Sequence, residues 1–82
     1  MGTRLETLDT RGLLCPLPVI RTQDMVKTLA VGTFLDVLAT DPGTLHDIPA
    51  WCRVHGHRLV ETETVEKERG MRELRIRIEV CA

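Results

Sequence analysis

Aromatic residues are almost missing from this chain: there is one Phe, one Trp and no Tyr among 82 residues. A core must therefore rest on Leu, Ile and Val, and the stacking platforms of single-stranded nucleic-acid binders have no material here. Charge of one sign is lacking too. The formal net charge is -1, which argues against a surface built for nucleic-acid phosphates. No apolar run approaches the ~20 residues of a membrane helix. The start Met1-Gly2-Thr3-Arg4 leads into no apolar stretch of signal-peptide type, and Glu6 stands where a myristoylation signal needs Ser or Thr. Three cysteines is an odd number, so a disulfide framework is not expected, and a reducing cytoplasmic setting is. A Cys-x-x-Cys redox motif is also missing, because Pro18 takes the place of its second cysteine.

Hydrophobic residues make up 43% of the chain and charged residues 28%, a globular balance suited to one small domain over residues 1–82. Leu5 to Asp9 reads as a first strand, closed by Thr10-Arg11-Gly12. From Pro18 to Ala30 the positions Val19, Thr22, Met25, Val26 and Leu29 follow a helical stripe, and Gly32 is expected to end that helix. Thr33 to Thr40 alternates, with Leu35, Val37 and Ala39 on one face. Asp41-Pro42-Gly43 is a turn, since Pro fixes φ and Gly adapts. Thr44 to His55 reads as a second helix with Thr44 as N-cap and Asp47 in a weak capping box. Pro49 should kink or restart it, and Gly56 should stop it. His57 to Glu66 is a strand of poor alternation. After the turn Glu68-Arg69-Gly70 comes the clearest pattern in the chain, Leu74, Ile76, Ile78 and Val80 against Arg75, Arg77 and Glu79. The order β-α-β-α-β-β predicts an α+β fold: a two-layer sandwich of one mixed sheet, both helices on one face and charge on the other.

Cys15 lies in Leu13-Leu14-Cys15-Pro16-Leu17-Pro18, where a helix begins. Free N–H groups and the macrodipole at a helix start favour negative sulfur, and Arg11 nearby would add positive potential. Such a thiol is expected to ionise readily. If Pro16 is the first helical residue, Cys15 is the N-cap and the Leu17 N–H is the main free donor near the sulfur. If the helix starts at Pro18, Cys15 stands one step upstream, because residues before proline avoid the α region. Either way Pro16 and Pro18 stiffen the segment. No histidine lies in a recognisable relation to Cys15, so a nucleophilic hydrolase lacks its base. A covalent carrier demands less: an exposed, activated sulfur that two proteins can reach in turn.

Cys52, His55 and His57 form Cys-x-x-His-x-His, but Gly56 should end the helix before His57 and no fourth ligand is evident, so no metal is expected. Cys52 either packs with Leu45 and Ile48 or serves as an auxiliary thiol that pairs with Cys15 on oxidation. His46 and His55 read as solvated or capping residues. Trp51 is either a core plug or an exposed anchor. The run Glu61, Glu63, Glu66, Glu68 is a wet strand edge and turn, and Cys81 is incidental.

The run Leu8-Asp9-Thr10-Arg11-Gly12-Leu13-Leu14-Cys15-Pro16-Leu17-Pro18-Val19 resembles the signature of the TusA (SirA-like) sulfur-carrier family, whose hallmark is Cys-Pro-x-Pro. A second block, Ala39-Thr40-Asp41-Pro42-Gly43 through Asp47-Ile48-Pro49-Ala50-Trp51-Cys52, is similar to the family as well, as is Gly56-His57. The resemblance implies the same β-α-β-α-β-β sandwich. It implies that Cys15 carries sulfane sulfur as a persulfide; no other cofactor is expected, and Arg11, Pro16 and Pro18 are expected to support the sulfur by the charge and stiffness described above. It also implies a donor protein (a cysteine desulfurase or rhodanese) and an acceptor with a reactive cysteine (DsrE-type or similar). The relay would serve tRNA thiolation, cofactor assembly or dissimilatory sulfur oxidation. A monomer with no nucleic-acid or membrane partner is expected. Two other classes remain open on the residues: a binding or regulatory module, and a redox-sensing thiol protein using Cys15 and Cys52.

Overall fold

The computed structural model describes residues 4–81. The readings of a leader and of acylation rest on Met1 to Thr3 and lie outside them. Strand β1 (Leu5–Asp9) is followed by helix α1 (Leu17–Val26), β2 (Phe34–Ala39), α2 (Thr44–His55), β3 (Arg58–Glu66), a short 3₁₀ turn (Glu68–Gly70) and β4 (Arg72–Glu79). The four strands form one sheet in the order β1-β2-β4-β3. β1 runs parallel to β2, while β4 is antiparallel to both β2 and β3. The sheet is thus mixed, and the α+β two-layer sandwich expected from the sequence is what the chain forms.

The alternation in β2 and β4 does what its period requires. Leu35, Val37, Ile76 and Ile78 are fully buried and meet Val26 of α1 and Ile48, Trp51 and Cys52 of α2 in one cluster. Both helices therefore cover the same face. The opposite face carries charge in register: Asp36 stands opposite Arg77, and Glu61 and Glu63 on β3 stand opposite Arg77 and Arg75. The poor alternation of β3 has two physical causes. It is an edge strand with most side chains in water, and its register slips between Leu59 and Glu61.

Arg77 binds Asp36 with both nitrogens, Nε to Oδ1 at 2.7 Å and Nη2 to Oδ2 at 2.9 Å. This bond, then Arg75 nearby, holds the Asp36 carboxyl below the usual carboxylate range. A depressed folded value stabilises the fold above the unfolded value near ~3.9, and that contribution fades as pH falls through the folded value. Urea titrations at neutral and acid pH should therefore show a smaller acid-induced loss in Asp36→Asn than in the wild type; an equal loss would remove the pair from the acid response.

Four local details differ from expectation. Helix α1 ends at Val26 rather than running to Ala30, because the bonds tighten from Lys27 N–H on Gln23 O to Thr28 on Met25 and Leu29 on Val26. Gly32 is not its stop. With φ +91° it forms the turn Ala30–Thr33 and gives its N–H to Val80 O at 2.8 Å, leading the chain into β2. Helix α2 is capped by Gly43 instead of Thr44, and no capping box forms. The helix passes Pro49 without a break, since Pro49 costs one backbone bond while Ile48, Trp51 and Cys52 keep that turn packed. Gly56 stops it as expected, with φ +77° and its N–H on Cys52 O.

Candidate functional site

The loop after β1 is pinned to β2 residue by residue. Thr10 N–H donates to Leu38 O at 2.8 Å, and the Thr10 hydroxyl donates to the same carbonyl. Gly12, at φ +84°, turns the chain and gives its N–H to Thr40 Oγ1 at 2.9 Å. Leu13 N–H returns to Thr10 O at 3.2 Å. The loop then delivers Cys15 to the end of the sheet where β1 and β2 finish. The Cys15–Pro16 peptide bond is cis.

The first helical residue is Leu17, with Pro16 as N-cap and Pro18 second, so neither proline opens the helix. Leu17 N–H is not the free donor expected near the sulfur, because it closes a turn on Leu14 O at 2.9 Å. Pro16 O accepts from Val19 and Ile20, both at 3.1 Å. Arg11 does not reach the sulfur either. Its guanidinium grips Asp9 at 2.9 Å and touches Glu73 at 3.4 Å, pulling the Asp9 carboxyl down to about 2. It also lines a cavity of about 530 Å³ with Gly12, Thr40, Met71, Arg72 and Glu73 at the same end of the sheet.

The helix that meets Cys15 is α2. A Cβ placed on Gly43 would lie 3.6 Å from that of Cys15. Asp41 joins the two segments: Oδ2 accepts the Cys15 N–H at 2.6 Å and Oδ1 accepts the Gly43 N–H at 2.9 Å. These two bonds hold the Asp41 carboxyl below its usual range. One turn on, Asp47 presents its carboxylate to the sulfur, and Cys15 Sγ–H donates to Oδ2. The remaining first-turn amides of α2 close on Asp41, Pro42 and Gly43 carbonyls, so none is left for a thiolate. Thr44, the first residue of α2, is buried and its hydroxyl has no partner.

The easily ionised thiol expected from the sequence is therefore not what the free protein holds. The Asp47 hydrogen bond, loss of water around the sulfur, and the negative charges of Asp47 and Asp41 push the Cys15 thiol up. The physical reason is simple: a full carboxylate charge in contact outweighs a helix end worth roughly half a charge. Cys15 is nonetheless exposed and free, between exposed Leu14 (73%), Leu17 (41%) and Ile20 (47%).

The other sequence candidates scatter. Cys52 is 1% exposed in the core, and burial pushes its thiol up to about 11. Trp51 is a core plug: it is buried, its Nε1–H reaches Gln23 Oε1 at 3.3 Å, and His57 stacks on it at 4.9 Å between ring centroids. His57 Nδ1 accepts the Cys81 N–H at 3.0 Å, and burial holds its pKa down. Cys52 and His57 thus serve packing and backbone bonding, His55 is exposed, and among the described residues no group of three metal-ligating side chains comes together. No helix of the described residues is long and apolar enough to cross a membrane.

Asp47 and Asp41 are the site residues that sequence reasoning placed in other roles, as a cap and as a turn former. Asp47 is four places into α2, on the turn that faces the loop, a position whose meaning depends on knowing that Gly43 and not Thr44 is the cap.

An exposed cysteine held by two carboxylates between the first strand–helix loop and the second helix can be set against known proteins. The family model described as Sulfurtransferase TusA matches residues 6–80. The chain belongs to the TusA family. It is 50% identical over 56 residues to the sulfur carrier protein TusA of Pseudomonas paraeruginosa, covering 68% of this chain and 71% of that one. The same figures hold for TusA of Pseudomonas aeruginosa. Among solved structures, a SirA-like protein from Desulfitobacterium hafniense superposes with a TM-score of 0.63 at 27% identity, over 88% of this chain and 95% of that one. The match to the TusA family thus takes in both blocks that build the site, the Cys15 loop and the start of α2.

Proposed function

We propose that this protein is a sulfur carrier that accepts sulfane sulfur on Cys15 as a persulfide and passes it to the thiol of an acceptor protein. The observation that carries this reading is the placement of Cys15. It is the exposed free cysteine, fixed at its backbone by Asp41, in a chain that belongs to the TusA family. A carrier needs a sulfur reachable from outside by two partners, and no pocket of its own around it. The Cys15 thiolate attacks the terminal sulfur of a donor persulfide. A new S–S bond forms, the donor's S–S bond breaks, and the donor leaves as a thiolate. The second step repeats the exchange: an acceptor thiolate attacks the outer sulfur and Cys15 leaves.

A sulfur carrier works between a donor and an acceptor. We assign the donor to the cysteine desulfurases or rhodaneses, and the acceptor to proteins with a reactive cysteine of DsrE type or similar. The relay serves tRNA thiolation, cofactor assembly or dissimilatory sulfur oxidation, in the reducing cytoplasm, with the carrier acting as a monomer. No cofactor beyond the persulfide is required. Incubation with a desulfurase and cysteine, or a rhodanese and thiosulfate, should raise the intact mass by one sulfur atom, reversibly on reduction. A chain that gains nothing from either donor system overturns the reading.

A further inference from the structure

The exchange just described needs Cys15 as a thiolate, because the thiolate and not the thiol is the nucleophile. The free protein is built the other way. Cys15 Sγ–H is bound to Asp47, and Asp41 adds a second negative charge behind it. These are the charged groups that face the sulfur from α2 and its leading turn. From the sulfur's own loop, Arg11 is spent on Asp9 and Glu73. Among the described residues no lysine, arginine or histidine pairs with Asp41 or Asp47. Two unneutralised carboxylates therefore flank the atom that must become an anion. Beside them Leu14, Leu17 and Ile20 present an exposed apolar strip from the loop along α1.

We propose that Asp47 is a charge-sensitive latch on Cys15: it holds the sulfur as a thiol in the free protein, and a sulfur-donor protein that presents a lysine or arginine to Asp47 frees it as a thiolate. This rests on the carrier reading and names the chemistry of its donor's docking surface. That surface is apolar where it covers Leu14, Leu17 and Ile20, and cationic where it meets Asp47. Covering the strip removes water, which strengthens the pairing of the cation with the carboxylate. Arginine is also among the residues enriched at interfaces. Once Asp47 is neutralised, the Sγ proton passes to solvent and the thiolate attacks the donor's terminal sulfur. The donor's S–S bond breaks, and its leaving thiolate takes up a proton from water. The latch keeps an exposed thiol from reacting where no donor is docked.

The test uses the full chain with Cys81→Ser, which leaves Cys15 as the accessible thiol because Cys52 is sealed in the core. Cys15 is reacted with trimethylammonioethyl and with sulfonatoethyl methanethiosulfonate, one cationic and one anionic, across a range of pH. In Asp47→Asn the cation-to-anion rate ratio should fall by roughly 15-fold at low salt, because one unit charge ~5 Å away in water changes each reagent's rate about fourfold and in opposite senses. The midpoint of the rate-against-pH curve should move to lower pH. Asp47→Glu, which keeps the charge, should keep most of the wild-type ratio, and the wild-type ratio should shrink as salt is added. An Asp47→Asn protein with an unchanged ratio and midpoint overturns the proposal, as does an Asp47→Glu protein that behaves like Asp47→Asn. These reactions need no sulfur donor. Failure of the latch thus leaves sulfur loading intact, and failure of loading leaves the reagent selectivity unaffected.

Discussion

Cys15→Ser is expected to abolish sulfur uptake completely, with intact mass unchanged after either donor system. A serine hydroxyl forms no persulfide, and neither remaining cysteine can substitute. Cys52 is enclosed by Ile48, Trp51 and the sheet, and its thiol is pushed up to about 11 by burial, so it meets neither donor nor base. Cys81 lies just past β4, partly covered, with its backbone held by His57 and its sulfur turned to Glu79 O at 3.5 Å. Cys81→Ser should therefore load as the wild type does. Sulfur on a Cys15→Ser protein in amounts comparable to the wild type would mean that the chemistry belongs to another residue.

The second large effect concerns stability. Ile76 sits midway along β4, opposite Val37 of β2 and Thr62 of β3, and has no exposed surface. Truncation to Ala removes buried methyl groups where two strands and two helices meet, and backbone pairing on both sides limits collapse into the space. The expected loss is about 2–5 kcal/mol, a large fraction of the roughly 4–12 kcal/mol that a domain of this size commonly has. The melting temperature should fall by about 4–8 °C per kcal/mol. Urea unfolding gives the same quantity from the midpoint at constant slope. A loss under about 1 kcal/mol would show that the core does not centre on β4.

How far the sequence could be read depends on the range over which each feature is determined. The alternation Leu74, Ile76, Ile78, Val80 is local and period two, so the buried face of β4 was legible at once. The same holds for Leu35, Val37 and Ala39 in β2, and for Gly56, whose left-handed φ is what a helix stop needs. The helix ends were harder. Gly32 has the residue type of a helix stop but serves a turn one step later, and Thr44 has the residue type of a cap but follows the true one. In both cases the type is right for a role that a neighbour performs. The electrostatics of the site were not legible, because they depend on contacts made only by folding. Asp47 meets Cys15 across 32 positions, and Arg11, close in sequence, is drawn off by Asp9 and Glu73. Proximity along the chain put a cation beside the sulfur, whereas the fold puts two carboxylates there. Family resemblance pointed to Cys15, and only the geometry showed that Asp41 and Asp47 hold it.

Whether Cys15 holds the transferred sulfur is read most directly from the position of the added atom. The wild-type chain is loaded by a desulfurase with cysteine, alkylated without reduction, digested, and its three cysteine peptides are compared by mass. The peptide containing Cys15 should carry one extra sulfur beneath the alkyl group, and those containing Cys52 and Cys81 should carry none. Extra sulfur on the Cys52 or Cys81 peptide, with the Cys15 peptide unmodified, would contradict the account.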